Sequence, residues 1–169
     1  MDVALLILRV VLGFYLFGHG AQKFGRFGGL SLRQTAGIMG SRLGFRPPLF
    51  WTTVAALGET GGAILIFLGV LGPIGPLAAA ATMLVATLTH LPKGVFMQNG
   101  GVELPFMYLT VAVALALTGP GAFSMDALVG IALPEPVTLA VGAALALLGA
   151  LAPYASRGPT LHVAHPAAG

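Results

Sequence analysis

Apolar residues along this chain come in runs long enough to cross a bilayer, whose hydrocarbon core of about 30 Å takes roughly 20 residues of helix. Five such runs can be cut. The first extends from Val3 to about Phe24 and contains Arg9 and His19. The second follows Pro47 and Pro48 and extends from about Leu49 to Leu71. The third follows the turn Gly72-Pro73-Ile74-Gly75-Pro76 and ends near Leu91, and the fourth starts between Glu103 and Pro105 and stops before Gly119-Pro120-Gly121. A fifth run, Pro136 to Leu151, opens on proline, ends at Pro153 and Tyr154, and carries Gly142 and Gly149 as a small-residue packing face. The expected fold is therefore an all-α membrane protein: a four-helix transmembrane bundle plus a fifth, C-terminal transmembrane helix.

The stretches between the runs add a topology. The N-terminal run lacks a basic leader and a small-residue cleavage site, so it reads as a retained span and not as a signal peptide. Arg26, Arg33, Arg42 and Arg46 crowd into the 25–46 loop, with Lys23 just before it, whereas the Gly72–Pro76 turn has no charge. Basic loops stay on the cytoplasmic side. The 25–46 loop is then cytoplasmic, the N-terminus outside, and Lys93 and Arg157 fall inside, leaving Asp2, Asp126 and Glu135 as outer loop charges. Within the loop, Leu30 to Leu43 is too short and polar to span and suits an interfacial helix with a basic face. One domain over residues 1–155 is expected, with 156–169 as a disordered tail.

Composition agrees and narrows the chemistry. Of the 169 residues 57% are hydrophobic and 8% charged, against roughly 25% charged in an average soluble domain. The formal net charge is +3, but scattered Lys and Arg on a membrane protein report topology, so nucleic acid is set aside. With no cysteine, this chain supplies no thiolate or Cys-ligated cluster, and redox chemistry has to come from a cofactor or a partner.

Ionisable groups at membrane depth are costly and so are functional candidates by default. His19, Gln22 and Lys23 stand at i, i+3 and i+4, on one face near the cytoplasmic end of the first helix. His90 and Lys93 flank Pro92 at the same end of the third, and Glu103 opens the fourth, so an up-down bundle brings them to one level. Glu59 lies roughly 15 Å into the second helix, among Gly58, Gly61 and Gly62. Arg9, roughly 9 Å from the opposite end, is expected to reach it as a buried pair. Such a pair is either structural or functional. Lys23 and Lys93 also fit as snorkelling anchors. A His, an amide, a Lys, a second His and a Glu converging from different helices suit a polar headgroup that exchanges protons.

Other signals carry less. His162 and His165 have metal-compatible spacing but no carboxylate or thiolate company, so no metal site is assigned. Phe24, Phe27, Phe45, Phe50 and Trp51 read as an interfacial aromatic belt. Gly25, Gly28 and Gly29 are not a phosphate loop, because no strand precedes them and no Gly-Lys-Ser/Thr follows.

The string Leu8-Arg9, Gly13, Gly18-His19-Gly20-Ala21-Gln22-Lys23-Phe24 and Phe27-Gly28-Gly29 resembles the N-terminal signature of the DoxX family of small bacterial membrane proteins. Further motifs follow in family order: Leu43-Gly44-Phe45, Glu59 with Gly61-Gly62, His90-Leu91-Pro92-Lys93-Gly94, Gly100-Gly101-Val102-Glu103, and Gly119-Pro120-Gly121 with Ser124 and Asp126. The resemblance covers about residues 4–130, departing at Val102, where an aromatic is usual, and in the fifth run, which lies beyond the family core. It implies a four-helix bundle related to membrane oxidoreductase components, including subunits linked to thiosulfate:quinone oxidoreduction and to partners handling oxidative stress. Carried over by position, its polar residues are Arg9, His19, Gln22, Lys23, Glu59, His90, Lys93 and Glu103.

The combined expectation is a bacterial inner-membrane protein whose polar cluster holds a lipophilic molecule, most simply a quinone, within a redox assembly. His19 is the proton donor or carbonyl ligand and Glu59 a proton relay; Arg9, Gln22, Lys23, His90, Lys93 and Glu103 are ligand contacts. Two other readings stand beside it, a proton or small-solute transporter and a scaffold that anchors soluble redox proteins through the basic loop. Gly- and Ala-rich faces are compatible with a homo-oligomer.

Overall fold

The computed structural model describes residues 1–160. They form α1 (Asp2–Gln22), α2 (Leu32–Leu43), α3 (Pro48–Leu68), α4 (Ile74–His90), α5 (Glu103–Thr118), α6 (Met125–Val129) and α7 (Glu135–Ala155), with single 3-10 turns at Leu91–Lys93 and Met97–Asn99. No strand occurs among the described residues. Local chemistry accounts for the boundaries. Pro48 opens α3, where a missing N–H costs nothing, and Ser31 with Gln34 forms a reciprocal capping box on α2. Left-handed Gly44 and Gly69 end α2 and α3, a conformation that glycine adopts without penalty.

Four helices are long and apolar enough to cross a membrane: Asp2–Gln22, Pro48–Leu68, Ile74–Lys93 and Pro136–Ala155. The C-terminal run is thus a full-length helix, and the shorter apolar helix is α5, with 16 residues or about 24 Å. Its approach is irregular, but the backbone satisfies itself: Val102 N–H donates to Gly94 O at 3.1 Å and Glu103 N–H to Val95 O at 2.9 Å. Non-helical chain at membrane depth is tolerated on that condition.

Small residues set the helix register. Gly13 of α1 lies against Ala63 and Phe67 of α3, and Gly20 against Thr60, so the two helices run antiparallel with backbones nearly touching. Gly62 lies in the same way against Gly75 and Ala79 of α4. Leu5, Leu12, Leu16, Ile66, Met83 and Leu115 fill the centre. α7 runs parallel to α4, with Gly142 over Leu77 and the Tyr154 hydroxyl donating to Val85 O at 3.0 Å. Large side chains such as Phe14, Leu117 and Leu148 face outward, a liability in water that lipid removes. In Gly62→Leu, a Cβ already 3.1 Å from Gly75 O and 3.2 Å from Ala79 N meets backbone that cannot yield. The expected result is a loss of roughly 2 kcal/mol or more, read as a lower melting temperature in detergent; an unchanged melting temperature refutes this α3–α4 contact.

Every Lys and Arg except Arg9 lies at one end of the bundle, called here the basic end. The start of the expected disordered tail packs there: Gly158 N–H donates to Gly44 O at 2.8 Å, and the Arg157 guanidinium stacks 4.1 Å from the Tyr154 ring centroid. Residues 161–169, with His162 and His165, lie outside the described residues.

Candidate functional site

The α1–α3 register decides which charges meet. Gly20 brings the two backbones together at Thr60, and Lys23, three residues on and therefore on the same face, meets Glu59. Their side chains form a salt bridge, with relative exposures of 20% for Lys23 and 5% for Glu59. This is the ion pair found among the described residues, and it sits in the α1–α3 contact with Glu59 buried and Lys23 partly exposed.

The same register overturns the expected Arg9–Glu59 pair. Arg9 lies opposite Gly69, ten residues along α3 from Glu59, or about 15 Å. Its guanidinium is 2% exposed and donates through Nη2 to Phe123 O, and a Cβ on Gly69 would collide with Nη1. Beside it the Asp126 carboxylate, also buried, accepts from Leu71 N at 3.0 Å and Gly72 N at 2.7 Å, while Asp126 N–H donates to Gly69 O. Asp126 thus clamps the α3–α4 turn to α6, and Arg9 ties the loop before α6 to α1. Asp126, expected as an outer loop charge, is buried because that turn needs an acceptor for two N–H groups.

His19 lies one turn before Lys23 and points toward α5. Its ring packs edge-on against Tyr108, with centroids 5.7 Å apart, and both residues are half-buried. The Tyr108 hydroxyl makes no hydrogen bond to another described residue, so it is available as a donor. Gln22 is exposed beside His19. Tyr108 and Thr60 gave no signal in the sequence: tyrosine in an apolar run reads as packing, and the threonine hydroxyl is bonded within its own helix, to Ala56 O at 2.7 Å.

The other expected site residues organise the loop before α5. His90 Nδ1 donates to Gly100 O at 2.6 Å, and Glu103 accepts the Met97 N–H at 3.0 Å. Lys93 is exposed. No hydrogen bond or ion pair joins these three to Lys23 and Glu59 among the described residues. The structure therefore separates the expected set into a core of Lys23, Glu59 and His19 with the exposed Gln22 beside it, a loop group of His90, Lys93 and Glu103, and Arg9 at the far end. No group of three or more His, Cys, Asp or Glu side chains able to hold a metal occurs among the described residues.

The DoxX family model matches residues 4–91, which include α1, the Lys23–Glu59 pair and α4. The chain belongs to the DoxX family. It is also 33% identical over 126 residues to the protein named "Putative oxidoreductase CatD" of Bacillus subtilis (strain 168), an alignment spanning 74% of this chain and 86% of that one. No solved structure matches the chain. With the family and the apolar helices together, this DoxX protein is a multi-pass membrane protein. The family match ends at Leu91, so Tyr108 and the Asp126 clamp are supplied by the part of the DoxX chain that lies beyond it.

Proposed function

We propose that this DoxX-family protein is the membrane component of a redox assembly and that its polar cluster receives the headgroup of a quinone-like lipophilic molecule. The observation that carries the reading is the Lys23–Glu59 pair flanked by the half-buried His19 and Tyr108 at the α1–α5 seam. Charged groups at membrane depth are retained mainly for work. The relative named as an oxidoreductase supports the redox class. Basic loops favour the cytoplasmic side of an inner membrane, which puts the polar cluster nearer that face and the N-terminus outside.

The donor set fits such a headgroup. A quinone supplies reversible uptake of two electrons and two protons. Its carbonyl oxygens need donors, and Tyr108 Oη, the His19 ring and Lys23 Nζ are those present. Glu59 holds Lys23 in place, and the His19 imidazole is placed to pass a proton to the headgroup. Apolar walls exclude water and strengthen these contacts.

The test is mass spectrometry of lipophilic molecules retained by protein purified gently from native membranes. Wild type is expected to carry a quinone-class molecule in near-stoichiometric amount, and His19→Ala and Tyr108→Phe each at least about fivefold less, since each lost hydrogen bond is worth about 1 kcal/mol or more in a dry site. Retention unchanged in both His19→Ala and Glu59→Gln sinks the assignment. Proton flux into proteoliposomes that Glu59→Gln abolishes selects the transporter reading instead.

A further inference from the structure

On the side of α3 away from the polar cluster, a cavity of about 670 Å³ runs between α3 and α7 over a floor of α4. Glu59 faces α1, whereas its neighbour Gly58 faces Thr82 of α4 and lines the cavity, so the two places share no residue. The cavity follows α7 from Val137 to Pro153, a rise of about 24 Å. It is open because α7 packs on α4 and bypasses α3, and because Ala55, Ala78, Ala81, Gly142 and Gly149 present almost no side chain to it.

Its size and ends identify the occupant. A single acyl chain, which reaches about half of the roughly 30 Å hydrocarbon core, takes up the part of the cavity nearest the basic end. At the basic end the cavity is lined by Phe45 and Trp51, and Arg157 and Arg46 lie beside these rings. Arg157 stacks on Tyr154 and Phe45. Arg46 lies against Gly158, and its carbonyl accepts from Trp51 Nε1 at 3.0 Å. Both arginines are exposed, and neither meets a carboxylate among the described residues. Basic pockets between transmembrane helices at the headgroup level select anionic lipids.

We infer that the α3–α4–α7 cavity is a binding site for an anionic phospholipid, with one acyl chain between α3 and α7 and the phosphate between Arg46 and Arg157. The lipid completes the bundle by filling the gap that α7 leaves against α3, and it does so without involving the polar cluster.

Native mass spectrometry of the full chain from micelles containing equal phosphatidylglycerol and phosphatidylcholine tests this. Wild type is expected to retain one phosphatidylglycerol, preferred about thirty-fold, the effect of two arginines at a headgroup. Arg46→Gln/Arg157→Gln, altered only at exposed positions, brings the preference to parity. A Cβ on Gly149 meets nothing within 4 Å, so Gly149→Leu adds a side chain to the cavity where there is room for its Cβ and lowers retention of both lipids, with helix content unchanged. Equal retention of the two headgroups by wild type, retention that survives cavity filling, or a dimer in place of bound lipid each overturns the assignment.

Discussion

Glu59→Leu is expected to lower stability by about 3–5 kcal/mol, because it leaves the Lys23 ammonium inside the α1–α3 contact without its partner. For a chain of this size that corresponds to a melting temperature lower by roughly 6–20 °C. Lys23→Met is expected to do the same from the other side, stranding a carboxylate that is 5% exposed. The double variant Lys23→Met/Glu59→Leu is expected to recover most of the loss, since a buried pair exchanged for apolar groups of similar volume is often neutral or stabilising. This cycle separates the pair's two roles. A double variant that melts like wild type yet retains no lipophilic ligand shows that the charges are kept for binding. A Glu59→Leu protein melting within a degree of wild type shows that the pair does not sit in the α1–α3 contact as described.

The second large effect is expected at the opposite end. Asp126→Ala removes the acceptor of the Leu71 and Gly72 N–H groups, and each buried donor left unpaired costs about 1–3 kcal/mol. The sum, roughly 2–6 kcal/mol, falls on a turn in which Leu71 already holds φ 62°, a conformation a leucine keeps only when its surroundings enforce it. Asp126→Asn keeps one acceptor oxygen and is expected to lose about half as much. Amide exchange at Leu71 and Gly72, followed beside the melting temperature, localises the change. Equal exchange rates in wild type and Asp126→Ala contradict the clamp.

Much of the fold was legible in the sequence. The apolar runs, their proline and glycine boundaries, and the short polar helix Leu32–Leu43 depend on residues close together in the chain, and all appear as helices in the structure. The family, too, was legible from motifs in order. The fifth run proved a complete helix, while the 16-residue α5 is short for a reason the sequence carries only weakly: backbone hydrogen bonds across the 94–103 loop.

The site was legible in its residue types and illegible in its pairings. Lys23, Glu59 and His19 could be picked out because a charge in an apolar run is anomalous wherever it falls. Which carboxylate meets which cation depends on how far α1 slides along α3, and a slide of one turn exchanges every partner. Gly13 and Gly20 set that slide through backbone contacts with Phe67 and Thr60, which moved Arg9 to Gly69 and gave Glu59 to Lys23. Tyr108 joined His19 and Asp126 went inside for the same reason, tertiary position. The sequence by itself determined an all-helical membrane protein of this family and the polar residues it must accommodate, because length and hydrophobicity are local quantities. Only the tertiary structure decided which of those residues share a site, because contact between helices depends on small residues acting at a distance in the chain.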